Sequence, residues 1–163
     1  MTGHETARRR ALAVAVVMST VLVAFETTSL LTALPTIADE LDGDRLYGAT
    51  LAAYMLADIV GLVLIGERID RRGPRSSFAL SIGVFVAGLV VAASAPTMLF
   101  VLLGRVLQGA GAGGLAPIAF AVISRVWPSE RQPVILAWIS AGWILPSLLA
   151  PALAGWTTST IGW

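Results

Sequence analysis

Apolar residues run along this chain in long uninterrupted blocks, at roughly 11–34, 47–66, 76–95, 97–124 and 133–155, parted by short polar stretches. Runs of that length predict helices that cross a bilayer, since about 20 residues rising about 1.5 Å each cover about 30 Å of hydrocarbon. A membrane barrel would need shorter strands that alternate between apolar and polar positions, and these blocks do not alternate. The pattern therefore predicts an all-α integral membrane fold with five transmembrane helices. A signal peptide, cleavable or twin-arginine, is the rival reading of the first block, because Arg8, Arg9 and Arg10 precede it. The block is too long for one, shows no small-x-small cleavage site, and is followed by further apolar blocks.

Composition agrees with lipid as the solvent. Of 163 residues, 56% are hydrophobic and only 13% charged, and the mean hydropathy is +0.82, more than a soluble domain carries. The net charge of +1 conceals a pattern: all eleven basic residues are arginine, and most stand between apolar blocks. Arg8–Arg10 precede the first block, Arg68, Arg71, Arg72 and Arg75 lie between the second and third, and Arg125 and Arg131 flank the next turn. The stretch after the first block carries Asp39, Glu40, Asp42 and Asp44 against Arg45, and 94–97 has no charge. Arginine-rich connections face the cytoplasm, so the amino terminus is expected inside. Trp127 and Trp156 fall at block ends, where an amphipathic ring suits the headgroup level. Without cysteine there is no disulfide or thiolate metal site, and the single His4, in the polar leader, reads as a tail residue rather than a ligand.

Charges inside apolar blocks need a reason, because a central one costs about 2.5–3.5 kcal/mol on insertion scales. Glu26, Asp58 and Arg105 break the rule. Glu26 lies eight residues before Leu34 and Arg105 eight after Thr97, so both sit about 12 Å below the outer surface. Opposite charges at one depth predict a pair, either a structural pin or a device for handling ions or substrate. Gln108 shares a helical face with Arg105. Asp58 falls near the midplane with Tyr54 and Gly61 on its face, and both a structural and an ionic role stay open for it. Gly109 and Gly113 have the small-x-x-x-small spacing that lets two backbones approach. Pro146 and Pro151 each remove a helix hydrogen bond and predict a bend in the fifth block.

Five segments resemble the major facilitator superfamily. Residues 66–75, Gly-Glu-Arg-Ile-Asp-Arg-Arg-Gly-Pro-Arg, are similar to its signature G-x-L-A-D-R-x-G-R-[KR], with Gly66, Asp70, Arg71, Gly73 and Arg75 matching. Residues 25–35, Phe-Glu-Thr-Thr-Ser-Leu-Leu-Thr-Ala-Leu-Pro, resemble the L-D-x-T-I-V-N-V-A-L-P pattern of the fourteen-helix drug:proton antiporters, with Glu26 at the acidic position. Residues 104–111 look like the R-x-x-Q-G-x-G motif, and Pro146 to Gly155 loosely match G-P-x-x-G-G. Gly162-Trp163 resembles the lead into the family's sixth helix.

The resemblance implies a partial amino-terminal transporter half over 1–163, an incomplete six-helix half whose carboxy-terminal counterpart is missing. The implied function is secondary active transport, proton-coupled efflux of small drug-like molecules across a bacterial inner membrane, multi-pass, powered by the proton gradient with no cofactor. Glu26, Arg105, Gln108 and Asp58 are then candidates for proton coupling and the substrate cavity. Asp70 and its matching neighbours become a conformational loop, and Gly109, Gly113, Pro146, Pro151 and Gly155 packing or bending positions. The implied partners are a small-molecule substrate, protons and lipid. An importer of the same fold and a non-transporting five-helix scaffold remain alternatives. No catalytic constellation, nucleic-acid patch or phosphate-binding Gly-rich Lys-Ser/Thr loop is present in a chain without lysine, which points away from an enzyme or a primary pump.

Overall fold

The computed structural model describes residues 3–160; Gly162 and Trp163 lie outside them, as do the side chains of His4 and of Arg8, Arg9 and Arg10. The described elements are helical: α1 (Gly3–Glu40), α2 (Asp44–Ala93), α3 (Met98–Gly113), α4 (Leu115–Val126), a 3-10 turn (Ser129–Arg131), α5 (Gln132–Ala141) and α6 (Ile144–Thr160). Four stretches are long and apolar enough to cross a membrane: Val14–Glu40, Asp44–Ala93, Met98–Val126 and Ser129–Thr158. The second and third apolar blocks, expected to be separated by a loop at 67–75, are instead two arms of one 50-residue element.

Helical geometry persists through that arginine-rich stretch, where Arg71 pairs with Glu67 one turn earlier at 3.7 Å, and departs only at Gly73 (φ 77, ψ 167). Positive φ is open to glycine because it has no Cβ. Pro74 then suits the first turn of the second arm, where its missing N–H is not needed. Ser77 Oγ donates to the Gly73 carbonyl at 3.0 Å and helps close that turn.

At Gly73 the element doubles back. Ile65 and Ser81, about 24 Å apart on a straight helix, both crowd the place a Cβ would take at Gly114. The first arm runs parallel to α3, with Tyr54 against Gly109 and Asp58 against Gly113. The second runs antiparallel, with Ala92 against Gly104, Gly88 against Gln108 and Phe85 against Gly111. Glycines on two faces of α3 thus let it lie between the arms at backbone contact, as the spacing of Gly109 and Gly113 predicts for one face.

Prolines set the remaining breaks. Pro117 cannot donate to the carbonyl of Gly113, four residues earlier, and α3 gives way to α4 there. Pro146 has the same relation to Gly142. The break expected in the fifth block falls at Gly142 and Trp143, where Gly142 N bonds both Trp138 O (3.0 Å) and Ile139 O (3.1 Å), rather than at Pro146 itself, which is buried in the first turn of α6. Pro151 lies inside α6 without ending it. Gly155, expected to pack closely, has nothing within 4 Å of its Cβ position among the described residues.

Helix α1 runs antiparallel to α3 and α4, joined through side chains. At one end Val16 meets Ile65, Ile69, Ile118 and Val122; in the middle Val23 meets Phe85, Ala112 and Leu115; at the other end Leu34 and Ile37 meet Met98 and Val101. The first end adjoins Arg68–Arg75 and Arg125, and the last adjoins Asp39–Asp44. Basic and acidic connections therefore occupy opposite ends of the bundle.

Candidate functional site

Between those ends, α1, α3 and the first arm of α2 bring polar side chains together in an apolar interior. Arg105 projects from α3 and is 2% exposed, while Glu26 on α1 is 17% exposed. Arg105 Nη1 donates to Gln108 Oε1 at 2.9 Å. Gln108 Nε2 donates to Glu26 Oε1 at 2.8 Å, and Arg105 Nη1 stands 3.6 Å from the same carboxylate oxygen. The amide of Gln108 thereby bridges cation and anion, using its acceptor toward one and its donor toward the other.

Tyr54, from the first arm of α2, caps the cluster. The guanidinium carbon of Arg105 lies 3.8 Å from the centre of its ring, within cation–π range. The tyrosine hydroxyl shares a hydrogen bond of 3.2 Å with Thr27 Oγ1, and Thr27 Oγ1 reaches Glu26 Oε2 at 3.5 Å. Arg105 Nε is buried without a hydrogen-bond partner among the described residues.

Two cavities flank α1 at this level. One, about 650 Å³, is bounded by Glu26, Ser29, Gln108 and Leu89 and by Trp156 and Thr157 of α6; Ser29 Oγ is buried beside it with no partner. The other, about 560 Å³, is bounded by Thr27, Tyr54, Asp58, Phe120 and Trp143. Glu26 borders the first cavity. Arg105 is sealed away and keeps its charge, as arginine does in proteins.

Of the residues singled out from sequence, Glu26, Arg105 and Gln108 meet in one cluster. Asp58 does not join it; it borders the second cavity and makes neither ion pair nor hydrogen bond among the described residues. Asp70 is exposed and apart from the cluster, and the Cβ position of Gly66 is open. Tyr54 and Thr27 are the members that sequence reasoning did not place there. Tyr54 carried a signal, since it lies one turn before Asp58, but its ring turns toward Arg105.

A helical bundle with four stretches long and apolar enough to cross a membrane, enclosing a buried ion pair, defines a multi-pass membrane protein. Residues 16–163 match the family model of the Major Facilitator Superfamily, and the chain belongs to that family. It is 32% identical over 122 residues to a probable multidrug-efflux transporter of Mycobacterium tuberculosis, covering 75% of this chain and 26% of the relative. Multidrug resistance protein 3 of Bacillus subtilis is 27% identical over 162 residues, 99% of this chain and 32% of that protein. A dehydrocurvularin exporter of Alternaria cinerariae is 32% identical over 149 residues, 90% and 25%. The chain thus spans between about a quarter and a third of the length of these curated relatives.

Proposed function

We propose that this chain forms the opening part of a proton-coupled secondary transporter that expels small drug-like molecules. The observation that carries the reading is the sealed Arg105 held against a cavity-facing Glu26 through Gln108. A carboxylate that can gain or lose a proton beside a fixed guanidinium changes the charge balance of the site with each proton, which is what coupling to a gradient requires. The efflux names carried by the relatives favour export over import and over a non-transporting scaffold. The driving force is the proton gradient, with no cofactor, and the rest of a longer polypeptide supplies the second wall of the path.

In this reading α2 crosses the membrane twice. Its 50 residues would extend about 75 Å as one helix, against about 30 Å of hydrocarbon. The turn at Gly73 splits it into two arms of ordinary spanning length, making five crossings in all. The arginine end then faces the cytoplasm of a bacterial inner membrane.

The test uses a longer protein containing this chain, in proteoliposomes. Glu26→Gln keeps the side-chain shape and removes the titration, so uphill transport driven by a pH gradient should be lost while downhill substrate flux persists. Gradient-driven transport at the unmodified rate would reduce the pair to a structural pin.

A further inference from the structure

The two cavities beside the cluster extend in opposite directions along the bundle. The first runs from Glu26 toward the acidic end, where Ile37, Ala93 and Val101 border it. The second runs from Thr27 and Tyr54 toward the arginine-rich end, where Thr20, Leu62 and Phe120 border it. Helix α1 separates them, because Glu26 lines one and its neighbour Thr27 lines the other. A proton on Glu26 therefore faces an apolar wall on the arginine side unless side chains carry it across, since a charge does not pass unaided through apolar packing.

The hydrogen-bond chain of the cluster supplies such side chains. Thr27 Oγ1 stands 3.5 Å from Glu26 Oε2 and 3.2 Å from the Tyr54 hydroxyl. A hydroxyl both donates and accepts, so it can take a proton on its oxygen while releasing its own. Either oxygen can be the donor between Thr27 and Tyr54, and the chain can run in both directions. The other members of the cluster do not serve this way. Gln108 is committed by its oxygen to Arg105 and by its nitrogen to Glu26, and Arg105 keeps its protons. Besides Glu26 and Tyr54, Asp58 is the ionisable residue that borders either cavity. It stands one turn beyond Tyr54, its charge acts on the Tyr54 hydroxyl, and a carboxylate there draws a proton toward that end of the chain.

We propose that Thr27 and Tyr54 are proton-relay residues that connect Glu26 with the cavity on the arginine side. The inference rests on the proton-coupled reading and specifies the route the proton takes. In one passage the O–H bond of protonated Glu26 breaks and its proton bonds to Thr27 Oγ1. The Thr27 proton passes to the Tyr54 oxygen, and the Tyr54 proton leaves to water in the second cavity as hydronium. Every oxygen keeps its electron pairs, Glu26 ends as a carboxylate, and both hydroxyls end neutral with their orientation reversed. Ser29 Oγ, buried without a hydrogen-bond partner among the described residues, can anchor the water that reloads Glu26 from the first cavity. Both links are longer than the about 2.7 Å of a good O–H···O bond, so the relay is interrupted in this arrangement and conducts when a turn of the Glu26 side chain and a small shift of α1 shorten them.

The test uses a longer protein containing this chain, in proteoliposomes, with ethidium as the probe substrate and an imposed pH gradient. Tyr54→Phe keeps the ring against Arg105 and Thr27→Val keeps the side-chain outline, so each removes one hydroxyl. Each should lower the ratio of gradient-driven to downhill ethidium flux about tenfold or more. The double variant should fall no further than either single one, because both break the same chain, and Thr27→Ser should restore the ratio. A wild-type ratio in either single variant overturns the relay. So does a double variant in which the two losses multiply, the pattern of two independent structural contacts. Should the variants lose helical circular dichroism, the wild type in heavy water decides: slower gradient-driven flux supports the relay and an unchanged rate overturns it. Gradient-driven transport lost in Glu26→Gln but kept in both hydroxyl variants sinks the relay alone, whereas transport that survives Glu26→Gln sinks the coupling reading itself.

Discussion

Replacing Gly111 with alanine tests whether the backbone contact between α3 and the second arm of α2 is what holds the bundle. A Cβ at 111 would lie 2.6 Å from both Phe85 N and Ser81 O. Both are backbone atoms on the facing arm, so no side chain can swing aside. Reaching an ordinary contact of about 3.4 Å requires the helices to part by about 0.8 Å, and parting them loosens the packing of Ala112 and Leu115 against Val23 in the same layer. Overpacking of this kind costs about 1–3 kcal/mol, against about 0.5–1 kcal/mol that alanine gains over glycine within a helix. The expected net effect is a loss of up to about 2.5 kcal/mol. Gly83, on the same arm, has nothing within 4 Å of its Cβ position, so Gly83→Ala keeps the propensity gain unopposed. The two substitutions should have opposite signs in thermal unfolding in detergent followed by circular dichroism at 222 nm. If Gly111→Ala is as stable as Gly83→Ala, the close approach is not a constraint and the account of α3 lying between the two arms is wrong.

Two further outcomes follow from the connections. Cysteine placed at Gly43 and at Arg72 should label from opposite faces of intact cells with a membrane-impermeant maleimide; labelling of both from one face would refute the orientation drawn from the arginine clusters. Asp70→Asn in a longer protein containing this chain should reduce transport turnover by about threefold or more while leaving membrane insertion unchanged, since Asp70 is exposed and free of contacts within the described residues and a solvated charge contributes about 0–1 kcal/mol to the fold. Unchanged turnover would show it to be an ordinary surface charge.

Much of the architecture was legible because lipid imposes strict rules. Uninterrupted apolar blocks could only be helices, and arginine placement separated the two ends of the bundle. Where the reading differed from the structure, local chemistry outweighed composition. Residues 67–72 look like a loop by charge, yet arginine and glutamate are good helix formers, and the Glu67–Arg71 spacing supports a helical turn until glycine offers a way out. The interruption between α3 and α4 was equally open to inspection, since Pro117 denies Gly113 its hydrogen bond. A span counted only by its hydropathy hides such a break. Pro146 was expected to bend its helix; the helix breaks four residues upstream, at Gly142, whose carbonyl the proline cannot serve.

The candidate site divides along a similar line. Counting residues from the block ends put Glu26 and Arg105 at one depth, and they stand 3.6 Å apart, because depth along a helix needs only the rise per residue. Azimuth needs the neighbours, which is why Tyr54 could be assigned to the face of Asp58 but not to the guanidinium it covers, and why Gln108 could be set beside Arg105 but not seen to bridge it to Glu26. The same neighbours decide what can move. Arg105 and Tyr54 belong to α3 and the first arm of α2, which meet backbone to backbone at Gly109 and Gly113, whereas Glu26 belongs to α1, which packs on α3 and α4 through side chains such as Val16, Val23 and Ile37. A small displacement of α1 would therefore change the Glu26–Arg105 distance and the Thr27–Tyr54 contact together. Glu26 and Thr27 are adjacent on α1 yet border different cavities, so the same displacement would alter both at once. The element that carries Glu26 is therefore also the wall between the two chambers.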